Sequence, residues 1–169
     1  RYSAVPNAAG TTITWPAINY EDVYTNNGEA ITGLHANKRL NQLLIFKENS
    51  LHAWDTFNII DIGNVGTTSH RSIVSIKSTT YFFKAGAGVF KYEGIDPDLI
   101  SRPIEKWIKG ISDVTVVHAG KEDEKFYKLY IGDTVVDGVT YTNCELRFST
   151  VDNTWTVYSY TDNFTVYAE

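Results

Sequence analysis

Short apolar and aromatic runs recur along the chain, separated by residues that turn the backbone. Strands are predicted at Thr11–Trp15, ended by Pro16, then at Ala30–His35, Gln42–Lys47, Ser50–Trp54 and Phe57–Ile62. The chain as a whole is rich in aromatic residues (14%), which with Val, Ile and Thr fit a pleated, half-buried surface. Glu48-Asn49 can close a tight hairpin, and Gly63-Asn64-Val65-Gly66 breaks the pattern. A second group is predicted at Ser72–Ile76, Thr80–Lys84 and Val89–Tyr92, with Ala85-Gly86-Ala87-Gly88 between the last two. Glycine supplies the positive φ that a sharp turn requires. Glu93-Gly94 and Asp96-Pro97-Asp98 then read as a turn-rich loop. A third group comprises Val114–His118, Phe126–Ile131, Tyr141–Phe148 and Thr154–Tyr160, with Phe164–Ala168 as a last strand. Asp137-Gly138 signals a hairpin inside a long connection, and Asp152-Asn153 turns the chain again.

Ser101–Lys109 is the helix candidate. Ser101 can cap it, Pro103 fits its first turn and Gly110 can end it. Ile104, Trp107 and Ile108 form one apolar stripe, on a helix too short to stand without packing.

The strand groups repeat. Leu44-Ile45-Phe46-Lys47, a turn and Ser50-Leu51-His52-Ala53-Trp54-Asp55 align with Tyr81-Phe82-Phe83-Lys84, a turn and Gly88-Val89-Phe90-Lys91-Tyr92-Glu93. The offset is about 37 or 38 positions, and the extra residue falls in the turn. A third hairpin with the same rhythm is read at Glu145–Ser149 and Thr154–Tyr160, further on. Repeats of roughly 40–50 residues with four strands each indicate propeller blades. An ordinary sandwich is the competing reading. The propeller leads because the repeated unit is a whole hairpin with matched aromatic and Lys positions. The fold expected is therefore all-β, a single propeller-like domain or a fragment of one over 1–169. It has about three antiparallel blades, near 30–62, 72–101 and 114–160, flanking strands over 1–15 and 164–168, and one short helix. Propellers close with about 4–8 blades, so three leave open edges. The rest of the ring is expected from further sequence or another chain.

Composition narrows the partners. Asp plus Glu is 20 and Lys plus Arg is 15, a formal net charge of −5. This excess of acid argues against a dedicated nucleic-acid or anionic-membrane binder. No apolar run approaches the roughly 18 residues of a membrane span, and no signal-peptide pattern opens the chain. Cys144 is the only cysteine, so neither an internal disulfide nor a multi-cysteine zinc cage can form. No Met occurs and Arg1 comes first, so the chain is expected to be processed, truncated or an excerpt of a longer protein.

Candidate chemistry is sparse. His35, His52, His70 and His118 stand singly, without HExxH or His-x-His spacing. Ser69 and His70 would point to opposite faces of an extended chain and would not meet. Gly86 and Gly88 make a lone G-x-G followed by a strand, and so a turn rather than a dinucleotide fingerprint. Asp96-Pro97-Asp98 and Glu122-Asp123-Glu124 could hold a hard cation, but neither matches an EF-hand, and solvated loops are the better reading. Asn163-Phe164-Thr165 has the form of a glycosylation acceptor, relevant only in a secretory pathway. Trp15, Trp54, Trp107 and Trp155 could stack sugars, although strand aromatics more often pack between layers. Lys38 and Arg39 sit in a turn, and two charges make no nucleic-acid surface. No catalytic, cofactor-binding or metal residue is assigned.

Several segments together resemble one family. Ile31-Thr32-Gly33-Leu34 and Leu43 to Leu51, then Gly66-Thr67-Thr68-Ser69-His70-Arg71-Ser72-Ile73-Val74, carry the first part. Tyr81-Phe82-Phe83, Gly88 to Gly94, Ile100-Ser101-Arg102-Pro103-Ile104-Glu105 and Trp155-Thr156-Val157-Tyr158 continue it in order. The run resembles the β-propeller region of tail proteins of short-tailed bacteriophages, the nozzle or tail-hub class. The resemblance implies a non-enzymatic virion structural protein, repeated about the tail axis around the DNA-ejection channel. Its implied partners are copies of itself and neighbouring tail proteins, in a homo-oligomer. Neither a membrane nor stable sequence-specific nucleic-acid binding is implied, although DNA passes nearby. A net-negative channel wall would repel DNA and suit its transit. The alternatives are a receptor- or glycan-binding propeller at the tail tip, which needs an exposed aromatic groove, and a glycosidase, which needs two carboxylates about 5–10 Å apart.

Overall fold

The computed structural model describes residues 23, 28–55 and 57–161. The strands expected at Thr11–Trp15 and Phe164–Ala168, Trp15 and the Asn163-Phe164-Thr165 sequon lie outside the described residues. Strands dominate, in three separate antiparallel sheets of four. The first sheet holds β1 (Ile31–Asn37), β2 (Gln42–Lys47), β3 (Leu51–Trp54) and β4 (Ile59–Gly63). The second holds β5 (Val74–Ile76), β6 (Thr79–Lys84), β7 (Gly88–Tyr92) and β8 (Asp98–Leu99). The third holds β9 (His118–Glu122), β10 (Phe126–Val136), β11 (Val139–Ser149) and β12 (Thr154–Ser159). In every sheet, strands adjacent in sequence are neighbours in space. Each sheet is thus a local meander that the chain completes before starting the next.

The two aligned hairpins occupy the same place in separate sheets, as β2–β3 and β6–β7. Their side chains explain why the sheets stack. On one face of the second sheet, Phe82 pairs with Phe90 and joins Tyr92. These pack on Leu44, Phe46, Leu51 and Ala53 of the first sheet. On the opposite face, Tyr81, Phe83 and Val89 pack on Tyr127, Leu129, Leu146 and Phe148 of the third. Alternation along a strand sends successive residues to opposite faces. A sheet with a neighbour on both sides therefore needs an unbroken apolar run, and Tyr81-Phe82-Phe83 is buried throughout. The Phe46 and Phe82 rings meet edge-on at 5.0 Å, and Tyr81 stacks on Tyr127 at 5.3 Å. Both separations lie in the favourable range for aromatic pairs.

The links between sheets also repeat. Ser69-His70-Arg71-Ser72 and Ser101-Arg102-Pro103-Ile104 each leave a last strand through a 3-10 turn, with Ser72 N–H bonded to Ser69 O and Ile104 N–H to Ser101 O. The first turn is bonded to both the second and the third sheet regions. Ser69 Oγ donates to Val117 O at 2.8 Å, Ser72 Oγ accepts from Phe83 N–H at 3.0 Å, and the buried Tyr127 hydroxyl donates to Ser72 O at 2.9 Å.

Several sequence expectations are corrected. The helix over Ser101–Lys109 is a 3-10 turn, Arg102–Ile104, followed by α1, Glu105–Lys109. Ser101 does not cap it, because its hydroxyl accepts the Val89 N–H at 2.9 Å instead. Val114–Val116 is a 3-10 turn rather than a strand, since the Asp113 carboxylate accepts the Thr115 N–H at 2.8 Å and holds the backbone curled. The first strand of the second sheet starts at Val74, after the turn at His70–Ser72. Phe57 is 87% exposed, in a turn where the Asp55 side chain accepts from the backbone N–H of Phe57 and Asn58. The loop through Asp96-Pro97-Asp98 contains the short β8, paired through Phe90–Leu99 and Lys91–Asp98. Asp137-Gly138 joins β10 directly to β11, with φ of 51° and 81°. That two-residue turn needs positive φ at both positions. The third sheet's counterpart of the aligned hairpins is β10–β11, not the pair at Glu145–Ser149 and Thr154–Tyr160. Its strands are 11 residues each, against 6 and 5 in β6–β7, and the register shifts around Gly132, so its spacing departs from that of the aligned pair.

Candidate functional site

The first strands of the three sheets lie together. His35 of β1 is hydrogen-bonded through Nε2 to Ser75 Oγ of β5 at 2.8 Å. Asn37, at the end of β1, donates to Ser78 O at 2.8 Å and to Thr80 Oγ1 at 2.9 Å. Thr80 and Ser75 share a further bond of 2.9 Å. Asn37 is 1% exposed and Thr80 is fully buried, so this chain of polar groups is set before any ligand arrives. On the other side of β5, the Lys77 backbone N–H donates to a Glu124 carboxylate oxygen at 3.0 Å, tying the β5–β6 turn to the β9–β10 turn.

A cleft of about 770 Å³ opens where these strands converge. Lys38, Arg39, Lys77 and Lys121 line it, against a single carboxylate, Glu124. Glu124 is ion-paired to Lys121. The Lys121 ammonium, the Lys77 N–H and the more distant Arg39 hold its pKa below the ordinary carboxylate value. The chain's overall excess of acid does not extend to this cleft. The four cations come from one phase of the repeat. Lys38 and Arg39 follow β1, Lys77 follows β5, and Lys121 is the penultimate residue of β9, beside the next turn. In the sequence Lys38 and Arg39 stand as an isolated pair in a turn. The available signal was a lysine at the end of the first strand in each of three repeats.

The other candidates do not converge. His52 lies in β3 near Ser50 and 3.5 Å from Asp61, His70 is an exposed residue of the 3-10 turn, and His118 packs at a tilt against Tyr130. Ser69 donates to Val117 O and forms no pair with His70. Here the reason is the 3-10 turn, not the strand alternation expected. Gly86 and Gly88 sit in the β6–β7 turn with φ of 74° and 133°. Glu122 is bound to Lys128 and faces Arg147. Among the described residues no group of three His, Cys, Asp or Glu side chains could hold a metal ion. Cys144 is fully buried, and burial pushes its thiol pKa up. Trp155 donates to Ile100 O at 2.9 Å and packs on Phe148, while Trp107 packs on Tyr141. These two indoles work between layers. Among the described residues no helix is long and apolar enough to cross a membrane.

Burial has a consequence for pH. It pushes the pKa of His35 below the usual imidazole value. It does the same for His52, opposed by Asp61 and assisted by Lys47. The unfolded chain, with an imidazole pKa of about 6.5, then binds more protons than the folded one at mildly acidic pH. Stability is full above that value and declines as pH falls through it towards the depressed folded values. Urea midpoints should drop between about pH 7.5 and pH 5.5, and drop less in His35→Gln and His52→Gln. An equal drop in both variants and the parent would remove these imidazoles as the cause.

Comparison with known proteins finds no family model that matches this chain and no curated protein that matches it.

Proposed function

We propose that the three sheets are consecutive blades of a β-propeller, and that the protein is a non-enzymatic structural component of a bacteriophage tail, part of the nozzle or hub around the DNA-ejection channel. The observation that carries the propeller is one architecture repeated three times. Each unit is a four-stranded meander, the units stack face to face in chain order, and their first strands converge. Sectors around an axis would share these features, which supports the reading. The tail role rests on the sequence resemblance over the same segments. The 3-10 links at Ser69–Ser72 and Ser101–Ile104 fall within two of those segments. The partners proposed are further copies of this chain and adjoining tail proteins, in the virion.

Electron microscopy of virions carrying the protein tests both parts. Density for these three sheets as adjacent sectors of a ring in the tail is the expected result. Three sheets placed outside any ring would end the propeller reading. A monomer absent from purified virions would end the tail reading. The glycan-binding alternative is less well supported, because Trp107 and Trp155 are engaged in packing rather than displayed in a groove.

A further inference from the structure

We propose that the cleft where β1, β5 and β9 converge binds a small polyanion, a ligand carrying two or more phosphate, sulfate or carboxylate groups. The site depends on neither ring closure nor a place in the virion, because every residue in it belongs to the three sheets described or to the turns next to them.

Charge is the first argument. Lys38, Arg39, Lys77 and Lys121 are far apart in sequence, and the packing of three sheets brings them to one opening. Like charges held together repel, even when solvent screens them. A chain with 20 acidic residues puts one carboxylate, Glu124, among the cleft's lining groups. Lys121 takes part in an ion pair with that carboxylate, which leaves the cleft with an excess of cation. An anion would relieve the repulsion.

Geometry is the second. The cations sit on the rim and are exposed, so each alone contributes little. A ligand with one charge would engage one or two of them. A ligand with several charges can span the turns after β1 and β5 and the end of β9 at once, and the separate gains combine in one binding event. The volume of about 770 Å³ suits a small molecule. Below the rim, His35 and Ser75 supply polar groups to the lining. They are held in place by the bonds to Thr80 and Asn37. Ala36, Ile73, Val74 and Gly120 complete the walls with apolar surface and backbone. A largely apolar lining with two fixed polar groups, beside exposed cations, matches a compact ligand with a charged periphery.

Titration calorimetry with tripolyphosphate, on the whole chain at about 20 mM salt, tests the site. Saturable binding at one site per chain is expected. It should weaken about tenfold or more in the Lys77→Gln, Lys121→Gln double variant, and weaken steeply by about 150 mM salt. Glu124→Gln should tighten it. The Lys106→Gln, Lys109→Gln pair removes the same charge from α1, away from the cleft, and should leave binding unchanged. Urea midpoints for each variant establish that all are folded. Citrate run in parallel separates the ligand chemistries: tighter tripolyphosphate assigns a phosphorylated ligand, tighter citrate a carboxylated one, and either supports the site. Absence of saturable heat from both anions would overturn it. Equal loss in the cleft and α1 pairs would overturn it too, by showing diffuse attraction. Tighter binding of a duplex oligonucleotide than of either small anion would replace the small ligand with a nucleic-acid surface.

Discussion

Gly66→Ala should lower stability by about 3 kcal/mol or more, an effect at the upper end for a single added methyl group. A Cβ at this position would lie 1.9 Å from the Lys47 carbonyl oxygen and 2.7 Å from that of Ser50. Both are backbone atoms of the tight turn between β2 and β3, and neither can rotate away. The turn is closed by Lys47 N–H bonding to Ser50 O at 2.9 Å. The next residue compounds the loss. Thr67 N–H donates to Lys47 O at 2.9 Å, Thr67 O accepts from the Thr32 hydroxyl, and the Thr67 hydroxyl donates to Phe83 O across the first and second sheets. Backing the chain away from Lys47 would stretch all three bonds, and Thr67 is fully buried, so water does not replace them. Gly86→Ala is the control. Gly86 has φ of 74° and nothing within 4 Å of a Cβ, so its cost is the backbone term alone, about 1 kcal/mol. Urea unfolding of the two variants side by side checks the difference. A Gly66 variant no less stable than the Gly86 variant would mean the 64–67 segment does not cross the hairpin this closely.

Phe82→Ala should cost about 3–5 kcal/mol, a sizeable fraction of the whole stability of a domain this size. Phe82 is fully buried, with ring centroids 5.0 Å from Phe46 and 5.7 Å from Phe90. Phe90 is its own cross-strand neighbour, whereas Phe46 belongs to the first sheet. Truncation therefore opens a cavity between sheets rather than within one. A double-mutant cycle of Phe82→Leu with Phe46→Leu should show a coupling of roughly 0.5–1.5 kcal/mol, which only direct contact between the sheets supplies. A loss under about 1 kcal/mol for Phe82→Ala, or no coupling, would mean that the first two sheets do not share a core. Because the stacked sheets form one continuous assembly, the loss should appear as a shift of a single unfolding transition.

Much of the fold was legible because sheets of this kind are local. Gln42–Lys47 and Thr154–Tyr160 carry their strand signal in β-branched and aromatic residues. Glu48-Asn49, Ala85-Gly86-Ala87 and Asp137-Gly138 carry their turns in residues that tolerate those backbone angles. The alignment of Tyr81-Phe82-Phe83 with Leu44-Ile45-Phe46 correctly paired two hairpins in different sheets, since both answer the same packing problem. The misreadings share another cause. At Val114–Val116, Ser101 and Asp98, a single side-chain or cross-strand hydrogen bond decided the local backbone, and propensity says nothing about such a bond. The β10–β11 hairpin departs from the repeat because its strands are 11 residues each, against 6 and 5 in β6–β7, and its register shifts around Gly132, so it keeps no fixed spacing with the others.

The cleft as an opening was not legible; the one trace of it in the sequence is a lysine near the end of each repeat's first strand. Lys38, Lys77 and Lys121 are unremarkable surface lysines in one dimension, each beside an ordinary turn. What the chain itself determined is the identity of most strands, the position of most turns and the number of repeats, because these follow from neighbours a few residues apart. What tertiary structure alone decided is which face of each sheet meets which, and therefore which distant charges share an opening. Stacking depends on the summed contacts of many side chains across two surfaces, and no short window of sequence contains both.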